Sequence, residues 1–176
     1  MCQLRITLEV LLLTVTFKCF SIGEHQTHTF WVTPNSQQES CQDSTPCYTV
    51  DEYYQQNTSI FSTSNATWIF LKGRHFIETS NITIAIINSQ NVTWRGDTVK
   101  ETSLYFVKGR RPLLIENCRK VTFQSLVISI LAESAILTIE NTESMNMVDV
   151  IWQTVFETDF QMFDLAGNNV ISFPLQ

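Results

Sequence analysis

Side chains able to do chemistry are few in this 176-residue chain, and they are scattered. His75 has no cluster of carboxylates beside it, and His25 and His28 lie far upstream, so it reads as a packing or turn histidine. The acidic candidates for carbohydrate cleavage are Asp149, Glu157, Asp159 and Asp164. Hydrolysis needs two carboxylates ~5–10 Å apart, and lyase chemistry needs clustered acids for calcium plus a Lys or Arg base. None of the four recurs at one offset along the chain, so no acidic column is implied. Cys41 and Cys47 stand six apart in the polar run Cys-Gln-Asp-Ser-Thr-Pro-Cys. Two cysteines with no nearby His do not make a zinc site. In an oxidising compartment they make a disulfide, and its short loop gives local, modest stabilisation. Cys118 is then the odd thiol: either a turn residue without a role or half of an intermolecular bridge. No metal or cofactor is expected.

The most frequent chemical signal is a modification. Asn57, Asn65, Asn81 and Asn91 each open an Asn-x-Ser/Thr sequon, four within 37 residues. Behind a secretory leader this density predicts a glycosylated surface. Asn57 falls in a predicted helix, whereas Asn81 and Asn91 fall at turns.

These residues are positioned by a repeat. One nine-residue pattern occurs four times, beginning at Ile86, Ile115, Ile139 and Leu165, with starts 29, 24 and 26 residues apart. A period of this size means stacked units. Each copy carries apolar residues at alternate positions: Ile84 and Ile86, Leu113 and Ile115, Leu137 and Ile139, Phe163 and Leu165. Alternation resumes at Val92 and Trp94, Val121 and Phe123, Met145 and Met147, Ile171 and Phe173. A spacing of two is that of a strand, not of a helix. Each unit therefore reads as strand, tight turn, strand, with a core shared between copies. The third position of the pattern is Asn88, Asn117, Asn141 and then Gly167. Asn tolerates the left-handed conformation and Gly adopts it freely, so one turn shape suits all four. The three asparagines are candidates for a side-chain ladder up the stack. Trp94, Phe123, Met147 and Phe173 share one column, which core packing explains better than a sugar platform.

Residues 1–23 read as a signal peptide: Arg5 at the start, an apolar core from Ile6 to Phe17, and small residues at Ser21-Ile-Gly23. The apolar run is about twelve residues, where a membrane span needs ~20. Without the leader nine basic residues face sixteen acidic ones, a net charge of about −7, which argues against nucleic acid as a partner. Residues 24–48 form a polar leader with the disulfide. Thr49-Val-Asp-Glu52 fits a capping box, opening a helix over 49–61 placed to cover the first coil. Residues 62–176 hold the coils, with Trp68 to Leu71 and Phe76-Ile77 in a degenerate first one. Lys108 to Pro112 is a basic loop between coils. Pro174, after the last strand, either blunts an edge or marks a piece of a longer array.

In these coils, the Cys41 to Cys47 stretch and Trp68-Ile-Phe-Leu-Lys-Gly-Arg-His75-Phe, the chain resembles right-handed parallel β-helix proteins. It is most similar to the β-helix modules of large secreted or membrane-tethered proteins of sponges and other simple animals, over roughly Cys41 to Phe173. The resemblance implies an all-β fold, a short right-handed parallel β-helix with an N-terminal capping helix. It supplies no catalytic residues. The expected role is a secreted binding or structural surface with an extracellular protein or glycan as partner, and end-to-end association or a Cys118-linked dimer as its self-contacts. The rival readings are a carbohydrate-active lyase or glycosidase and an inactive fragment of a longer β-helix.

Overall fold

A computed structural model describes residues 2–9, 12–19, 27–35, 41, 46–79, 82–98, 100–107, 112–131, 137–154, 163–167 and 171–172. Strands β1 (Cys2–Glu9) and β2 (Leu12–Cys19) pair antiparallel as a sheet of their own. The other strands are all parallel and fall into three sheets.

The repeating unit has three strands, not the two that the nine-residue pattern marks. The first coil is β4 (Ala66–Phe70), β5 (Gly73–Glu78) and β6 (Ile84–Ile87). The second is β7 (Val92–Gly96), β8 (Thr102–Val107) and β9 (Leu113–Glu116). The third is β10 (Val121–Gln124), β11 (Val127–Leu131) and β12 (Leu137–Glu140), and the fourth is β13 (Met145–Val148), β14 (Ile151–Thr154) and β15 (Phe163–Ala166). Strand β16 (Ile171–Ser172) follows, and β3 (His28–Val32) precedes them all. Stacking in register gives a first sheet β3-β4-β7-β10-β13-β16, a second β5-β8-β11-β14 and a third β6-β9-β12-β15. The architecture is all-β and solenoid-like, and every rung hydrogen-bonds to the same positions of the rung below. Strand β3 lies within the stretch read as a polar leader; its Phe30 is inward and stacks on Trp68 with ring centroids 4.2 Å apart.

Two corners recur up the stack. Between the third and first sheets Asn88, Asn117 and Asn141 have φ of 52°, 51° and 49°, and Gly167 follows at 75°. Their backbone N–H groups donate to the carbonyls of Glu116, Glu140 and Ala166 at 2.9, 2.9 and 3.1 Å, so this column is joined through the main chain. A Cβ on Gly167 would run into the Asn141 amide, so glycine gives that side chain room. The corner between the first and second sheets is tighter, with Ser125 and Asp149 left-handed at φ of 55° and 54°. Gly96 occupies the same column one coil earlier, where a Cβ would meet the Ser125 carbonyl.

The core is a continuous column along the inner face of the first sheet. Phe30, Trp68, Trp94, Phe123 and Met147 are register partners. Phe61 packs against both tryptophans, with centroids at 4.6 and 5.5 Å. Among the described residues neither indole N–H of Trp68 or Trp94 meets an acceptor. Such an orphan costs roughly 1–3 kcal/mol. Burying each ring system removes ~150–250 Å² from water, worth roughly 4–6 kcal/mol at ~25 cal/mol/Å², so burial wins. Met147 and its column partners are core, as the sequence suggests; Phe173 lies outside the described residues.

Helix α1 (Val50–Gln56) starts with the capping box that the sequence predicts. Thr49 Oγ1 accepts the Glu52 N–H, and Glu52 Oε2 accepts the Thr49 N–H at 2.7 Å. It ends earlier than expected. Asn57 is extended, at φ −159° and ψ 113°, and its side-chain oxygen takes the Ser59 N–H at 2.9 Å, which turns the chain into a 3₁₀ turn over Ile60–Ser62. These pieces close the bottom of the stack: α1 lies against β5 and the 3₁₀ turn against β6. Edge strands must have their backbone groups answered. Ser62 does this for β6: its Oγ accepts the Ile87 N–H at 2.8 Å and donates to the Ala85 carbonyl at 3.2 Å. On β3 the same task falls to Tyr48, which bridges Val32.

Candidate functional site

Of the four carboxylates that could cleave a glycan, one side chain falls among the described residues. Asp149 is exposed at a first-to-second-sheet corner. The side chain of Asp164 and the whole of Glu157 and Asp159 lie outside the described residues. Among the described residues no group of three or more His, Cys, Asp or Glu side chains could hold a metal ion, and no helix is long and apolar enough to cross a membrane.

His75 is buried under the turn that joins β4 to β5. Its Nε2 lies 2.8 Å from the Leu71 carbonyl, so that nitrogen is assigned the proton, and its ring meets Phe70 edge-on. Burial pushes the imidazole below its ordinary value, against hydrogen bonds to Leu71 and Thr33 that work the other way. The sign follows directly. In the unfolded chain the ring takes a proton near pH 6.5, and in the folded chain it does so at lower pH. Its share of stability is complete above pH 6.5 and is lost as pH falls from there through the folded value. We expect the His75 ring signals in an NMR titration to show a midpoint below 6.5; a midpoint above 6.5 contradicts the burial argument.

Cys118 has a clear structural role. It is the fourth residue of its copy of the pattern, a position held by Ser89 and Thr142 in the neighbouring copies. All three are buried, and each points its γ heteroatom at the carbonyl two residues back: Ser89 to Ile87 at 2.8 Å, Cys118 to Glu116 at 3.3 Å, Thr142 to Glu140 at 3.3 Å. Cys118 Sγ also reaches the Ile86 carbonyl of the coil below. The thiol is thus a stand-in for a hydroxyl, and at 1 % exposure it is out of reach of a second chain. This corrects the expectation of a Cys118-linked dimer. Burial also pushes its pKa up, away from the reactive thiolate. We expect a thiol reagent at pH 8 to leave Cys118 unmodified in the native protein and to label it fully in denaturant. Rapid native labelling contradicts the placement. Cys41 and Cys47 form a disulfide with Cα atoms 5.6 Å apart.

Among the described sequon asparagines Asn57 and Asn91 are exposed and Asn65 is half-buried. Asn57 is exposed beyond α1 rather than crowded within a helix. Asn65 and Asn91 both have φ of 54° and face each other across one rung, Asn91 Nδ2 donating to Asn65 Oδ1 at 3.1 Å. A side-chain amide rung therefore stands three residues past the Asn88 position. Asn81 lies outside the described residues. The sequon threonines Thr67 and Thr93 belong to an outward column of the first sheet, Thr29-Thr67-Thr93-Thr122-Asn146-Ser172 in register.

The second sheet presents a different face. Phe76 points outward between buried His75 and Ile77, and 59 % of it is exposed. Its register partner Tyr105 stacks on it, with ring centroids 5.3 Å apart and planes inclined by 24°. Ser129 and Gln153 continue this column, Ser129 Oγ donating to Gln153 Oε1 at 3.3 Å. Beside Phe76 a hollow of about 520 Å³ opens towards α1, with Asn35, Thr49, Asp51, Glu52 and Gln55 in its lining. Burial, with Glu78 and Glu52 nearby, raises the Asp51 carboxyl. The sequence identifies Phe76 as a strand residue but gives no sign that it faces out.

Fold and site together define a class of protein: an all-β, solenoid-like stack of parallel sheets that displays ordered columns of side chains. Compared with known proteins, the chain matches no family model, no curated protein and no solved structure.

Proposed function

We propose that the chain is a secreted, glycosylated module whose short right-handed parallel β-helix serves as an extracellular binding or structural surface. The observation that carries this reading is the in-register outer face of the sheets, where outward residues repeat rung by rung on a backbone held by a dense core. Solenoids use such long faces for extended ligands. The right hand is supported by the strong preference for right-handed connections between parallel strands of one sheet. The Cys41–Cys47 bridge and the exposed Asn57 and Asn91 suit an oxidising, glycosylating compartment. That no acidic residue recurs at one offset along the sequence supports this reading over an enzyme.

The test is the intact mass of the product made by a eukaryotic cell, with and without N-glycosidase and reductant. The reading expects secretion, loss of residues 1–23, glycan mass removed by the glycosidase and a gain of about two daltons on reduction, the two hydrogens taken up by one disulfide. Retention in the cell without glycans overturns it.

A further inference from the structure

We propose that the outer face of the second sheet, at the stacked Phe76–Tyr105 pair, binds a neutral oligosaccharide. This rests on the surface reading above and names the ligand class for one of its faces. A pyranose ring has an apolar C–H face and a polar hydroxyl edge. A site for it therefore needs a flat aromatic platform with hydrogen-bonding groups at the margin. Phe76 and Tyr105 give two rungs of platform, held by backbone pairing rather than by a loop. Further up the same column Gln153 is exposed and gives an amide, while Ser129 between them is buried with its hydroxyl donated to Gln153. The hollow beside Phe76 adds the Asn35 and Gln55 amides and the Asp51 carboxyl. An apolar ring left 59 % in water gains nothing for folding from that exposure.

The occupant follows from size and charge. The platform is two rings wide and flanked by Arg74 and Glu78 on the same strand. That is far short of the ~800 Å² per partner of a stable protein interface. Asp51 and Glu52 line the hollow, Glu78 ends the strand that carries Phe76, and the chain as a whole carries −6. An anionic glycan is repelled, and a neutral one is not.

Calorimetric titration of the full chain with cellohexaose, chitohexaose, mannohexaose and xylohexaose tests the proposal, with an alginate hexamer as the anionic comparison. Saturable binding of at least one neutral hexamer is expected, weakened about tenfold or more by Phe76→Ala and by Tyr105→Ala, the loss typical of truncating a central aromatic contact. Phe76→Tyr is expected to keep it. Phe76→Ala removes a solvent-facing ring, so its melting temperature reports that the fold is retained. The proposal falls if no neutral hexamer binds, if alginate binds better, or if the alanine variants bind like the parent. It also falls if sedimentation shows that Phe76→Ala instead dissolves a self-associated form. Titrating protein refolded from bacteria in parallel separates the two ideas: a secreted glycoprotein that binds no sugar sinks this inference alone, and a retained chain that binds sinks the secretion reading alone.

Discussion

Ile115→Asp is expected to abolish folding at 25 °C. Ile115 is fully buried on the inner column of the third sheet, between Ile86 below and Ile139 above. The substitution gives up roughly 1.5–3 kcal/mol of aliphatic burial. It also places in an apolar column a carboxylate whose desolvation costs several kcal/mol when it is unpaired. Total stability of a domain is only about 5–15 kcal/mol, so the loss is of the size of the whole. The neighbouring element supplies the control. Thr122 on β10 faces outward between Thr93 and Asn146, and Thr122→Asp is expected to shift stability by no more than ~0.5 kcal/mol. Far-ultraviolet circular dichroism during a thermal ramp reads both. A parent-like melt for Ile115→Asp would reverse the assignment of the inner face.

Trp94→Ala comes second. The ring lies at the middle of the core column, touching Phe61, Phe70 and Phe123 at centroid distances of 5.5, 5.1 and 5.5 Å. Because the strands on either side are fixed by their ladders, the space cannot collapse, and a loss of about 3–5 kcal/mol is expected. For a chain of this size that lowers the melting temperature by roughly 6–20 °C. Arg95→Ala, one residue on and exposed, is expected to leave it in place. Equal melting temperatures for the two variants would show that the aromatic column is not what holds the coils.

Two of the three sheets and one corner are legible in the sequence, because there the physics is periodic. Ile84 and Ile86, Leu113 and Ile115, and Leu137 and Ile139 repeat at a spacing of two, and a left-handed Asn follows each strand at the same offset. The second sheet hides for two reasons. Its inner face includes His75 and Thr102, while its outer face carries Phe76, Tyr105 and Val127, so apolar residues stand on both sides and alternation is blurred. The connections around it also vary in one coil each: the one entering β8 has five residues where the others have two, and the one leaving β14 has eight where the others have five, which breaks the fixed offset. That is why the aromatic platform, the chemically suggestive part of the surface, is the part the sequence conceals. Cys118 looked singular only because residue type was read before position. Set beside Ser89 and Thr142, it is one of three equivalent donors. The end of α1 was missed because a local side-chain bond from Asn57 competes with the helix, a choice that apolar spacing does not register.

The floor made by α1, the 3₁₀ turn and Ser62 also bears on symmetry. A rod whose two ends are complementary can polymerise head to tail without limit, because each addition recreates the docking site. Here the edge of β6 already spends its hydrogen bonds on Ser62, and that of β3 is bridged by Tyr48. A second copy adding its strands to this end would first have to displace those bonds, so head-to-tail stacking on the floor is disfavoured. One serine hydroxyl in a 3₁₀ turn thus takes up edge bonds of β6 that would otherwise be open to another strand.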